Sequence, residues 1–214
     1  MDKQILTQQR LKELSVKIAA ILLLTISLLQ IQSTHATPIL VWNNIHQEQL
    51  LGARNVEVMG VLFDVSFIDG SCDSIWSGCD RTKFRFPLSP LAAAASQALL
   101  DQVLLDVLPL ITLDSNPWKV RGLDSTDYGA IFTPYAFEDS TVRVVGAYNK
   151  AGSGIDVLDG FSFAHDTRLD EHPGSVYARW TVSSTVPEPS VVTLFAISLI
   201  AACLLSRYRR KRLV

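Results

Sequence analysis

Apolar and polar positions are distributed unevenly along the 214 residues. Two unbroken apolar blocks lie near the ends, 18–29 (IAAILLLTISLL) and 191–205 (VVTLFAISLIAACLL), and between them the pattern changes to alternation. In GARNVEVMGVLFDVSFIDG, Val61, Phe63, Val65 and Phe67 fall on one side of an extended chain, with Leu62, Asp64, Ser66 and Ile68 on the other. That period of two marks a half-buried strand. Met59-Gly60, between two such runs, predicts a hairpin turn.

The period then lengthens. SPLAAAASQALLDQVLLDVLP predicts a helix, with Ser89 as its cap, Pro90 at the first helical position and Pro109 as its stop. Leu91, Ala95, Ala98, Leu99 and Val103 share a stripe to be buried, while Gln97 and Asp101 face water. Alternation returns at 130–136, 141–148 and 176–183; in the last, Val176, Ala178, Trp180 and Val182 oppose Tyr177, Arg179 and Thr181. A leading hairpin, one helix and several later strands predict an α+β domain over 37–184, the helix covering one face of an antiparallel sheet. A β-sandwich with a surface helix is the alternative. The two terminal blocks predict hydrophobic helices flanking this domain.

Those blocks have different flanks. Lys3, Arg10, Lys12 and Lys17 precede the first, and the small residues Thr34 and Ala36 follow it. A basic region, a short apolar core and small residues at the −3 and −1 positions predict a secretory signal over 1–36, cleaved after Ala36. The second block, counted with Ser190 and Ser206, is long enough as a helix to cross about 25 Å, just sufficient for a thin bilayer. Arg207, Arg209, Arg210, Lys211 and Arg212 behind it predict a cytoplasmic stop. Pro187 and Pro189 in front of it lack amide hydrogens and keep that segment extended.

The order Val-Pro-Glu-Pro-Ser, short apolar helix and Arg-rich end, over residues 186–213, closely resembles the PEP-CTERM sorting signal of Gram-negative bacteria. The resemblance implies that Pro187, Glu188 and Pro189 are read by exosortase, an integral-membrane protease or transpeptidase, which removes the 185–214 tail. It also implies passage through the secretion translocon and signal peptidase, a transient stay at the inner membrane, then delivery to the cell surface or medium. A link to exopolysaccharide and biofilm material is implied as well. LLGARNVEVMGVLFDVSFIDGSC and VYARWTVSSTVPEP are similar to the usual start and end of such exported domains, departing at Met59, where Asn is more usual. No biochemical activity and no catalytic residue come with the resemblance.

Charge sharpens the picture. Residues 37–189 hold ten Lys/Arg and nineteen Asp/Glu, a net charge near −9 that argues against a nucleic-acid partner. It suits a surface domain, or one that meets divalent cations. Cys203 lies inside the second apolar block; Cys72 and Cys79, with six residues between them in an exported chain, predict one local disulfide.

Candidate chemistry is thin. Of the histidines, His46, His165 and His172 lie in the domain, and the last two sit in FAHDTRLDEHPG among Asp166, Asp170 and Glu171. A solvated acidic loop fits that run better than a metal or general-base site, because no His-Glu-x-x-His spacing occurs. No Gly-x-Ser-x-Gly elbow appears, and Gly152-Ser153-Gly154 reads as a turn. Asp69, Ser71, Asp73 and Asp80 match four positions of a calcium loop, but Ser74 stands where that loop needs Gly and no Glu ends it. AGSGIDVLD (151–159) is a single copy of a calcium nonapeptide that works only in stacks. Trp42, Trp76, Trp118 and Trp180, with Tyr128, Tyr135, Tyr148 and Tyr177, are candidates for a sugar-stacking surface, although strand aromatics more often fill cores. The expectation is therefore a non-enzymatic envelope or matrix protein with no catalytic residue, metal or cofactor. A carbohydrate-binding module is the alternative, and a secreted hydrolase a third.

Overall fold

The computed structural model describes residues 37–43, 49–107, 111–152 and 155–184. The signal segment with Ala36, the 185–214 tail, Cys203, His46 and Pro109 lie outside the described residues, as do both predicted terminal helices.

Seven strands form one sheet: β1 (Ile39–Trp42), β2 (Leu50–Val58), β3 (Val61–Ile68), β6 (Tyr128–Glu138), β7 (Thr141–Lys150), β8 (Val157–Ala164) and β9 (Ser175–Val182). Their order is β1-β2-β3-β9-β6-β7-β8. β4 (Asp106–Val107) and β5 (Ile111–Thr112) make a separate two-stranded ribbon. The sheet corrects the expectation of a purely antiparallel arrangement. β9 pairs antiparallel with β3 but parallel with β6, over Ala130↔Ser175 to Phe132↔Tyr177. It closes the gap between an N-terminal and a C-terminal meander, and its direction is set by the chain's return through residues 165–174. The described strands do not form two facing sheets, so the sandwich alternative does not hold.

The hairpins follow from turn chemistry. β2 and β3 meet at Met59-Gly60, both with positive φ (52° and 81°), as a two-residue turn matched to strand twist requires. Asp139-Ser140 does the same between β6 and β7 (φ 50° and 62°). Phe63, Val65 and Phe67 are buried on one face as the alternation predicts, whereas Val61, at the turn, is half exposed.

The main helix lies on that face. A one-turn helix, α1 (Cys72–Ile75), precedes it, and α2 spans Ser89–Gln102. The cap residue of α2 is Leu88, not Ser89, and it makes no side-chain cap bond. Pro90 in the first turn has no N–H to leave unpaired, which lowers the need for one. The helix ends at Gln102, before Pro109, because Val103 and Leu104 turn into the core. Ala92, Ala95, Ala98, Leu99 and Leu100 are buried against β2, β6 and β7, and Gln97 and Asp101 are exposed. Three alanines bring the helix axis close to the sheet, and the leucines each contribute about 1.5–3 kcal/mol by burial.

The opposite face has its own cover. Cys72, Trp76, Cys79, Phe84 and Leu169 pack on Ala130, Phe132, Val142, Val144 and Tyr177. Tyr177 and Trp180 thus point to opposite faces of the same strand, and both are buried. The sheet is a middle layer, with helix on one side and a disulfide-closed loop on the other.

Candidate functional site

The disulfide face carries the side chains with chemistry to offer, and the loop over its centre is built locally. Ser71 caps α1 through a reciprocal bond with Ser74, its hydroxyl accepting from the Ser74 N–H at 3.3 Å. Cys72 and Cys79 are bridged, with Cα atoms 4.9 Å apart and both side chains fully buried. Asp80 Oδ1 then accepts from the Thr82 N–H (3.0 Å) and hydroxyl (2.7 Å), which pulls its carboxyl below the usual range. Trp76 stands edge-on to Tyr177 (5.1 Å between ring centres) and to Phe84 (5.4 Å). Burial pushes the Tyr177 phenol far up, and its hydroxyl has no partner among the described residues.

On the β7–β8 side of the loop, Phe132, Tyr148, Phe161 and Phe163 form an aromatic cluster with ring centres 5.5–6.4 Å apart. Gly146 makes room for it: a Cβ there would lie 2.8 Å from the Tyr148 ring and 3.0 Å from that of Phe132. Phe161 is 39% exposed. Burial first, and then Asp159, push the Tyr148 phenol up to about 12, so it is a neutral donor at any physiological pH.

On the β3–β9 side lies a groove of about 300 Å³ lined by Thr82, Lys83, Arg85, Arg179 and Thr181, with Trp76, Phe84 and Trp180 beneath. It forms where the chain crosses between faces, since Phe84 belongs to the disulfide-side core and Phe86 to the helix-side core. β9 runs on to Val182 after its pairing with β6 ends at Tyr177, which leaves this flank accessible.

His165 is brought to Asp73, not to a cluster of ligands. Its Nδ1 lies 2.7 Å from Asp73 Oδ1, its carbonyl accepts from the Asp73 N–H at 3.2 Å, and its ring meets Phe137 edge-on at 5.6 Å. No hydrogen bond joins its other ring nitrogen to a Ser, Thr or Cys among the described residues. The pair docks the β8–β9 connection on the disulfide loop. His172 is exposed, and its N–H closes the turn on the Leu169 carbonyl at 2.8 Å. Arg168 hydrogen-bonds Asp170 and reaches Glu171 at 3.2 Å. The arginine holds the Asp170 carboxyl below the usual range. Asp69 is raised, chiefly by burial.

Among the described residues neither calcium reading is assembled. Asp73, Asp80 and Ser71 are engaged as above, Asp69 accepts from the Gly70 N–H, and Asp156 accepts from the Lys150 N–H at 2.9 Å. Ser153 and Gly154 lie outside the described residues. Among the described residues no group of three or more His, Cys, Asp or Glu is placed to hold a metal ion.

The sequence-level aromatic list splits. Trp76, Trp180 and Tyr177 are core, Trp42 and Tyr135 pack against it, and Trp118 and Tyr128 are exposed. Phe161 and Phe163 were not among the candidates, because Asp159-Gly160 interrupts the apolar pattern of β8. Reading Phe161 and Phe163 at a spacing of two would have found them. Arg85 and Lys83 carry a similar signal, alternating with Phe84 and Phe86.

No family profile, no curated protein and no solved structure matches this chain. Among the described residues no helix is long and apolar enough to cross a membrane; the 191–205 block lies outside them.

Proposed function

We propose that this chain is an exported cell-envelope or extracellular-matrix protein, non-enzymatic, sorted by exosortase through its 185–214 tail and associated with exopolysaccharide. The observation that carries the reading is the order of the tail: Pro187-Glu188-Pro189, an uncharged apolar run, then Arg207, Arg209, Arg210, Lys211 and Arg212. Export by translocon and signal peptidase, with cleavage after Ala36, completes it. The buried disulfide supports the reading, since such bonds persist in oxidising compartments. Among the described residues no nucleophile is hydrogen-bonded to the His165–Asp73 pair, which is engaged in docking a loop, and this weighs against a hydrolase.

Intact mass of the protein recovered from cells and medium, with exosortase present and absent, tests this reading. The expected product begins at Thr37 and lacks the tail only when exosortase is present. Surface material that keeps its last thirty residues refutes it.

A surface carbohydrate-binding module is the second reading, favoured by the half-exposed Phe161 beside Tyr148 on an open sheet face. Sugar rings stack on such faces as other apolar rings do. On a glycan array, the full chain then binds neutral oligosaccharides and Phe161→Ala loses about tenfold in affinity, of the size one stacked ring supplies. Equal binding by the variant removes the aromatic cluster from consideration.

A further inference from the structure

We propose that the cationic groove between residues 82–85 and β9 binds a carboxylate-bearing polysaccharide. The inference rests on the envelope reading only for where such a polymer would be met; the binding chemistry is argued from the groove.

Charge is the first reason. In a domain where acidic residues outnumber basic ones nearly two to one, Lys83, Arg85 and Arg179 line one groove with no ion-pair partner among the described residues. Two arginines elsewhere are matched: Arg143 with Glu138 at 3.2 Å, and Arg168 with Asp170 and Glu171. The acids nearest in sequence and register carry hydrogen bonds of their own, Asp80 from Thr82 and Asp64 from the Asn55 N–H at 3.1 Å, and of the three cations Lys83 also feels the Asp80 charge. Three like charges held together repel one another, and a bound anion removes that cost.

Rigidity is the second. Arg85 sits between buried Phe84 and Phe86, and Arg179 between buried Ala178 and Trp180. Their backbones are held by both cores, so little order has to be created on binding. Two guanidinium forks can donate to carboxylates in bidentate fashion, and Lys83 adds a point charge.

The third reason separates polymers. Trp76, Phe84 and Trp180 floor the groove at 3%, 5% and 5% exposure, so no free ring face is offered to a nucleic-acid base. With its rings this closed to solvent, the groove itself offers no apolar pocket to anchor a peptide side chain. On the β3 side β9 is already paired through Val182, so a peptide finds no free strand edge there. What remains in the groove is polar, Thr82 and Thr181, and Ser66 lies opposite Arg179 in the β3–β9 register. Hydroxyls beside cations suit a chain of hydroxylated rings with one carboxylate on each.

Calorimetry of the full chain in a polyoxyethylene detergent, titrated with polygalacturonate, tests this. The wild type binds, and added salt weakens the binding as screening requires. The triple variant Lys83→Gln, Arg85→Gln, Arg179→Gln loses at least about tenfold in affinity, as expected when charge-assisted bonds are removed. Lys150→Gln, on another exposed strand end, stays within about twofold of wild type because it touches no groove residue. Should the triple variant fail to fold, Arg179→Gln alone carries the test, with a loss of about three- to fivefold. No binding by the wild type, or unchanged affinity in the groove variants, overturns the proposal. Equal affinity for poly-L-glutamate or single-stranded DNA also overturns it, since the groove then reads charge alone. Binding is measured on purified protein, so its failure leaves the sorting reading intact, and an unprocessed tail leaves the binding intact.

Discussion

Thr133 ties three elements together through one hydroxyl. It is 1% exposed, and its Oγ1 lies 3.1 Å from the Ser96 hydroxyl of α2 and 3.2 Å from the Trp180 indole nitrogen of β9. Ser96 also donates to the Val145 carbonyl of β7 at 3.0 Å. Thr133→Val keeps the shape but leaves the Trp180 N–H buried and unpaired, at a cost of about 2–3 kcal/mol. Thr133→Ser keeps the hydroxyl, loses one buried methyl and costs about 1 kcal/mol. Urea unfolding followed by tryptophan fluorescence separates the two, and equal losses would show that the hydroxyl contributes nothing. The helical stripe made Ala95, Ala98 and Leu99 legible as core. Ser96 was not legible, because a serine in an alanine-rich run looks the same whether it meets water or a buried threonine.

At the scale of elements, the disulfide loop shows how far spacing carries. Cys72 and Cys79 were legible as a local bridge. That the bridged loop covers a sheet face, with Trp76 over Tyr177, was not, because it depends on a strand a hundred residues later. Cys72→Ala with Cys79→Ala is expected to lower stability by about 2–3 kcal/mol from loop entropy alone. The same variant exposes Trp76, so a red shift of tryptophan emission should accompany the loss. Unchanged stability and emission would mean that the loop holds its place without the bridge. Other elements were half legible. The β2–β3 hairpin and α2 follow from period and turn chemistry, whereas β1 and β8 were missed. As edge strands with one paired side, they need only short or broken apolar patterns. The helix end was misplaced at Pro109, since burial of Val103 and Leu104 ends α2 earlier than any breaker residue does.

At the scale of the molecule, two kinds of information separate. The proposed leader, the proposed sorting tail and the acidic balance of the domain are linear properties: the first two would be read along the chain by machinery, and the third is a sum over it. They need no fold, and the sequence by itself carries their pattern: two apolar blocks with basic flanks, Pro187-Glu188-Pro189, and nineteen acids against ten bases over 37–189. Strand order, the parallel β9–β6 pair, the docking of His165 on Asp73 and the gathering of Lys83 and Arg85 with Arg179 are decided only in three dimensions. Each joins residues far apart in the chain, and local propensity is blind to them. What selects these pairings is the burial of two faces of one sheet at once. Tyr177 must go under the loop while Trp180 goes under the helix, and only a central position for β9 satisfies both.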